Sequence, residues 1–175
     1  MNKPARVLLY GFGPYGLFRN NITSEIVKSL PRQPGLRRII FPVRFNRRQF
    51  VDALKRIKPD VVPGLGQSSR RRIEVESQAR NRYRRRRTEK AKAISPRGPM
   101  RLQTTLEMKI GAQAGKSTHA GDYVCNFAMY VILAHIRRAG TPVPYGFIHI
   151  PYDHDAKRAR RLVIMVLRRC RGAKI

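Results

Sequence analysis

The 175 residues carry 38 lysines and arginines against 10 acidic residues, a formal net charge of +28, with 42% hydrophobic content and two cysteines. That length fits one domain, residues 1–175, able to bury roughly two-thirds of its unfolded surface, and two cysteines exclude a disulfide framework. The charge predicts attraction to polyanions through counterion release, yet no RRM, KH, zinc-finger or helix-turn-helix signature accompanies it.

In chain order, strand and helix patterns alternate. Val7 to Tyr10 is a compact β run ending in the turn signal Gly-Phe-Gly-Pro. Thr23 to Leu30 reads as a short helix stopped before Pro31, and Leu36 to Val43 as a strand. Asn46 caps a helix with Phe50, Leu54 and Ile57 on one face, closed by Lys58-Pro59, and Asp60 to Leu65 is a buried strand. This β-α-β-α-β order predicts an α/β fold, a mostly parallel twisted sheet with helices on both faces. Ile73 to Ala79 alternates as a strand with a polar face carrying Glu74, Glu76 and Gln78. Arg80 to Pro99 is basic and irregular and reads as a mobile loop, followed by a strand over Met100 to Leu106. Asp122 is read as the N-cap of a helix that runs to Ala139 and ends at Gly140. Pro144 to Ile150 is a strand, and Asp153 to Arg169 a closing helix with Leu162, Val163, Val166, Leu167 and Cys170 inward.

The longest apolar runs fall far short of the ~20 residues of a membrane span. The opening Met1-Asn-Lys-Pro-Ala-Arg, before four apolar residues, lacks the longer apolar stretch of a secretory leader. A soluble, cytoplasmic protein is therefore expected. The four histidines are scattered and no pair of cysteines has zinc-ligand spacing, so neither a metal nor a cofactor is expected.

Three residues stand out for chemistry. Cys125 falls in the first turn of its helix, where unpaired N–H groups and the positive end of the dipole favour a thiolate; free cysteines are as readily buried and inert. His149 ends an apolar strand, where open α/β sheets place their sites, although a hydrogen-bonded core histidine has the same appearance. Glu76 projects from a polar strand face, either to pair with Arg70, Arg71 or Arg72 or to orient a histidine. Spacing alone does not choose. Cys170, on an apolar helix face, reads as core.

Taken together, the segments resemble the pyroglutamyl peptidase I family of cysteine peptidases. Tyr10-Gly-Phe-Gly-Pro-Tyr-Gly-Leu-Phe18 is similar to the family's Gly-Phe-Gly-Pro-Phe-Gly-Gly-Phe, and Asn21-Ile-Thr23 stands where the family has Asn-Pro-Ser. Lys58-Pro-Asp-Val-Val-Pro-Gly-Leu-Gly-Gln67, Ile73-Glu-Val-Glu76, Ala120-Gly-Asp-Tyr-Val-Cys-Asn126 and Gly146-Phe-Ile-His-Ile-Pro-Tyr152 follow in the family's order. The match covers most of the chain outside residues 82–119. The resemblance implies a phosphorylase/hydrolase-like three-layer α/β/α fold and a cysteine omega-peptidase that removes N-terminal pyroglutamate through an acyl-enzyme. By position it makes Cys125 the nucleophile, His149 the base and Glu76 the residue holding the imidazole. Phe12 and Tyr15 sandwich the pyrrolidone ring, and Gln67 lines the site. It implies no cofactor, pyroglutamyl peptides as partners and a homo-oligomer.

The chain departs from the family where the latter has Asp-Ala-Arg-Ile-Pro-Asp; here stands Tyr83-Arg84-Arg85-Arg86-Arg87. Leu17, Ile22 and Asp122 replace Gly, Pro and Thr. The span from Arg70 to Arg87 holds nine arginines against two glutamates. It supports the competing expectation of a catalytically lapsed scaffold that binds nucleic acid or another polyanion.

Overall fold

The computed structural model describes residues 4–108 and 110–172. Its strands are β1 (Val7–Phe12), β2 (Leu36–Phe41), β3 (Val62–Ser68), β4 (Ile73–Glu76), β5 (Gln78–Arg80), β6 (Arg101–Gln103), β7 (Ala114–Ser117) and β8 (Tyr145–Pro151). Its helices are α1 (Ile22–Ser29), α2 (Arg47–Ile57), α3 (Val124–Ala139) and α4 (Ala156–Gly172). Six strands form one sheet in the order β2-β1-β3-β8-β4-β7, while β5 and β6 pair separately. Within the large sheet β2, β1, β3 and β8 are parallel neighbours, β4 is antiparallel to β8, and β7 is parallel to β4. The expected mostly parallel α/β fold is the one observed.

Side-chain alternation along the strands explains the layers. In β1, Val7 and Leu9 enter the apolar cluster with Ile26 of α1 and Leu162, Val163 and Val166 of α4. Leu8, Tyr10 and Phe12 point the other way, into the cluster with Phe50 and Leu54 of α2 and Met129 and Tyr130 of α3. Burying a side chain of this size contributes about 1.5–3 kcal/mol, so each face of the sheet is covered by one helix pair. The hydroxyls of Tyr10 and Tyr145 satisfy each other at 2.6 Å within the second cluster.

Local chemistry sets the helix ends. The Asn21 and Asn46 side chains accept the Thr23 and Arg48 N–H groups, each at 3.0 Å, as N-caps of α1 and α2. Helix α2 ends on Lys58 in the left-handed region (φ 49°) and α3 on Gly140 (φ 66°). For α4 the cap is Asp155 rather than a residue nearer Asp153: its carboxylate accepts the Arg158 N–H at 2.6 Å.

The region between Ile73 and Val124 differs from expectation. The strand over Ile73 to Ala79 breaks at Ser77, whose N–H donates to Ser117 and whose carbonyl accepts from Thr104. The chain thereby leaves the large sheet, and β5 pairs with β6 instead. Strand β7 was not anticipated, because Ala-Gly-Lys-Ser carries neither β-branched nor aromatic residues. The segment after β5 is irregular, but α3 ties it down. Buried Asn126 accepts the Arg80 N–H at 2.8 Å and donates to the carbonyls of Arg80 and Arg82, and the Tyr130 hydroxyl donates to Pro99 at 2.8 Å. Asp122 is not the cap of α3. That position falls to Tyr123, which makes no side-chain cap.

Candidate active site

Strand parity decides which polar side chains meet. In β8, Tyr145 and Phe147 face α2 and α3 while Ile148 and Ile150 face α1 and α4, so His149 is directed toward α3. In β4, Ile73 and Val75 face α4, which directs Glu74 and Glu76 to the α3 side. The antiparallel register opposes Glu74 to His149 and Glu76 to Phe147, making Glu76 and His149 diagonal neighbours. Glu76 Oε1 lies 2.7 Å from His149 Nδ1, with both side chains buried.

Arg70 also reaches Glu76, its Nη1 lying 3.1 Å from Oε1, and it pairs with Glu74 and donates to Ser117 Oγ at 2.9 Å. Burial pushes the Glu76 carboxyl up, but hydrogen bonds from His149 and Ser117 and the charges of His149 and Arg70 hold it below its ordinary range. For His149 burial acts downward. Hydrogen bonds and charge from Cys125 and Glu76 outweigh it, and the imidazole pKa is pushed up to about 9.

Cys125 is the second residue of α3 and is half-buried. Its sulfur occupies the space a side chain would need at Gly66: a Cβ there would stand 2.8 Å from Sγ and 2.7 Å from Phe147 Cζ. Gly66 is in turn the register partner of His149 across β3 and β8. Thiol, imidazole and carboxylate thus lie in sequence. Because Tyr123 makes no side-chain cap, the first-turn N–H groups of α3, that of Cys125 among them, have no intrahelical acceptor and none from the cap residue's side chain.

Cys125 and His149 open into a cleft of about 660 Å³ at the carboxyl ends of β1, β3 and β8, with Glu76 fully buried behind the imidazole. Phe12, Tyr15 and Gln67, singled out in the sequence, line the same cleft. Gln67 Oε1 accepts the Ile22 N–H at 2.9 Å, while its Nε2 makes no well-formed hydrogen bond and lies close enough to the Tyr15 hydroxyl to interact with it. Sequence reasoning missed Phe18, Tyr123 and Tyr152, which complete the aromatic wall: Tyr15 packs on Phe18 at 5.3 Å and Phe18 on Tyr152 at 5.5 Å between ring centroids. It also missed Gly66 as the seat of the thiol and Ser117 beside the carboxylate. The rim is cationic, formed by Arg70 and Arg84 to Arg87. Asp122 binds there, taking Arg82 at 3.0 Å and Arg84 at 2.6 Å. Cys170 is buried on the far side of the sheet among α1 and α4 side chains, and burial pushes its thiol up to about 11. Among the described residues no three His, Cys, Asp or Glu side chains gather as a metal site, and no helix is long and apolar enough to cross a membrane.

A thiol, an imidazole and a carboxylate in sequence, at the carboxyl ends of a mostly parallel sheet, are the arrangement of a cysteine hydrolase. The chain belongs to the pyroglutamyl peptidase family, which it matches over residues 5–158. Among its relatives, the pyrrolidone-carboxylate peptidase of Pyrococcus furiosus is 33% identical over 168 residues, covering 84% of this chain and 81% of that one. Pyrrolidone-carboxylate peptidase 1 of Saccharolobus solfataricus is 30% identical, covering 88% and 82%. Among solved structures, a mutant pyrrolidone carboxyl peptidase from P. furiosus superposes with a TM-score of 0.86 at 26% identity, covering 97% and 99% of the two chains. The enzyme from Thermococcus litoralis shares the fold, with a TM-score of 0.85 at 24% identity over 94% and 92%.

Proposed function

We propose that this chain is a peptidase that hydrolyses the amide bond following an N-terminal pyroglutamyl residue, with Cys125 as nucleophile, His149 as acid and base, and Glu76 as the group that orients the imidazole. The observation that supports it is the Glu76–His149 pair, Oε1 to Nδ1 at 2.7 Å, with the imidazole and the Cys125 thiol both lining an aromatic cleft. The pyrrolidone ring is flat, neutral and polar at one edge. Phe12 and Tyr15 supply faces for it, and the Gln67 Nε2 supplies a donor for its lactam carbonyl.

In the first half-reaction His149 takes the Cys125 thiol proton as the sulfur attacks the pyroglutamyl carbonyl carbon, and the oxyanion is taken by the Cys125 backbone N–H at the start of α3. The carbon–nitrogen bond then breaks, and the leaving amine takes its proton from the His149 imidazolium. In the second, His149 removes a proton from water and the hydroxide attacks the thioester carbonyl. The carbon–sulfur bond breaks, and the imidazolium returns the proton to the sulfur, releasing pyroglutamic acid and restoring the Cys125 thiol. Glu76 keeps Nδ1 occupied throughout, leaving Nε2 for the thiol and for water.

We assign residues 1–175 to one peptidase domain and the protein to the cytoplasm, a reading supported by two free thiols, one of them in the cleft. Residues 1–3, on which the expectation of no leader partly rests, lie outside the described residues. A polyanion-binding scaffold without turnover draws support from the +28 charge, but such a scaffold has no need of a complete thiol–imidazole–carboxylate series. The test is release of a fluorophore from a neutral pyroglutamyl amide by the purified protein. Turnover that disappears in Cys125→Ala is expected. Absence of turnover, or turnover surviving that substitution, overturns the proposal.

A further inference from the structure

The cleft has two chemistries at different depths. Its interior is walled by aromatic rings around the thiol and imidazole, whereas its rim is built from a run of arginines whose charges are unequally compensated. Arg84 is spent on Asp122, with Nη2 and Nε at 2.6 and 3.1 Å from the same carboxylate oxygen. Arg70 is spent on Glu74 and Glu76. Arg85, Arg86 and Arg87 are exposed, and among the described residues none of their guanidinium groups is within ion-pair distance of a carboxylate. Glu89, the sole acid between Arg80 and Pro99, accepts the Arg85 backbone N–H at 3.3 Å.

These three arginines are held at the mouth. The Arg84 N–H donates to the Asp122 carbonyl at 2.8 Å, fastening the turn to the residues just before α3, and Arg84 Nη1 donates to the Arg87 carbonyl at 3.2 Å. Three unneutralised cations therefore stand over a low-dielectric aromatic wall, where field lines are focused rather than dispersed into water. Guanidinium forks also match carboxylates bidentately, which gives them a preference beyond that of diffuse charge.

We infer that Arg85, Arg86 and Arg87 form a subsite for an acidic leaving peptide, so that this enzyme prefers pyroglutamyl substrates with Asp or Glu in the first positions after the scissile bond. The inference rests on the peptidase reading. A neutral lactam seated beside Phe12, Tyr15 and Gln67 gives the rim no charge to recognise. The charges a substrate can carry lie on the part that leaves, and that part must pass the rim on its way out. A peptide with lysine in those positions meets like charge there.

The experiment measures kcat/KM for pyroglutamyl-Asp-Glu, -Gln-Gln and -Lys-Lys peptides, all C-terminally amidated, from 20 mM to 0.5 M NaCl. We expect a preference for the acidic over the basic peptide of about tenfold at low salt, shrinking below about twofold at 0.5 M, where the Debye length is about 4 Å. Arg85, Arg86 and Arg87 changed together to Gln should abolish the preference, and the same three changed to Lys should keep part of it. A control removes an equal charge at the far ends of two helices, Arg56, Arg137 and Arg138 to Gln, and should leave the preference in place, separating the rim from the net charge. Parallel binding of the labelled peptides to Cys125→Ala by fluorescence anisotropy reads the same subsite without turnover. If the neutral peptide is not cleaved, the peptidase reading fails, while anisotropy still reports whether the rim selects acid. An acid-to-basic ratio near one, or a preference unchanged in the Gln triple variant, overturns the subsite.

Discussion

Glu76 and His149 are joined Oε1 to Nδ1 at 2.7 Å across the antiparallel pairing of β4 with β8, so the imidazole is oriented by a strand ladder rather than by a loop. The carboxylate is itself fixed by Arg70 and Ser117. A rigid carboxylate leaves the ring one tautomer and directs Nε2 at the thiol.

Glu76→Gln should therefore fold and bind substrate while losing activity. A neutral amide can hold the ring in place but does not stabilise an imidazolium. We expect kcat to fall by about 10²–10⁴, with Cys125→Ser and His149→Ala at or beyond the upper end of that range. Single-turnover kinetics and far-UV circular dichroism on each variant check this. Near-normal turnover in Cys125→Ser would remove the nucleophile from the mechanism.

The raised pKa of His149 links the site to stability. The folded value of about 9 lies above the unfolded value near 6.5, so the native state holds a proton that the unfolded chain releases between those limits. The stabilisation is full below about pH 6.5 and is lost as pH rises toward 9. Glu76 acts in the opposite sense: its carboxyl is held low, so its contribution is present above its unfolded pKa and is lost as pH falls into the acid range. Urea unfolding across pH 6 to 8, below the range where the raised Cys170 thiol also contributes, should show a decline of order 1–3 kcal/mol, largely flattened in His149→Gln. A wild-type slope that the substitution leaves unchanged would assign the effect elsewhere.

The two thiols should be distinguishable by alkylation. Cys125 lines the cleft, whereas Cys170 is buried and its thiol is pushed up to about 11. Iodoacetamide at pH 7.5 should modify Cys125 at least about tenfold faster, because thiolate and access are both required. Peptide mass spectrometry after partial reaction reads the ratio. Equal rates in the folded protein would mean that the cleft thiol is not accessible as described.

Much of this was legible in the sequence, for identifiable reasons. The β-α-β-α-β alternation up to Leu65 is carried by apolar runs with clear periods, and Asn46 and Gly140 mark helix ends by chemistry any helix needs. Cys125, His149 and Glu76 were singled out because each sits at an element end or on a polar strand face, and the family motifs then grouped them. The break at Ser77 was not legible: Ile73 to Ala79 alternates without interruption, and the change of sheet depends on hydrogen bonds to Ser117 and Thr104, 40 and 27 residues away. Asp122 misled for a similar reason. It has the composition of a cap, but two arginines from another segment claim its carboxylate. The aromatic wall of Phe18, Tyr123 and Tyr152 comes from three separate loops and has no sequence period to betray it.

Gly66 offers the most direct test of how the thiol is seated. It lies mid-strand in β3, in a conformation that does not need a glycine, so the requirement is for space. A methyl group there would sit 2.8 Å from Cys125 Sγ and 2.7–2.8 Å from two carbons of the Phe147 ring, well inside van der Waals contact. Phe147 is fully buried between Tyr10 and His149, so its ring cannot retreat without moving the histidine. Gly66→Ala should therefore cost about 1–3 kcal/mol through overpacking. It should also lower kcat by more than tenfold, because the thiol and the imidazole are both displaced from their common line. Gly13→Ala, whose added methyl would find its nearest neighbours at 3.8 and 3.9 Å, is the comparison and should be far milder in stability. Thermal melts and kcat on both variants, with iodoacetamide rates at Cys125, read the effect. If Gly66→Ala melts and turns over like the parent, the sulfur does not rest where the structure puts it.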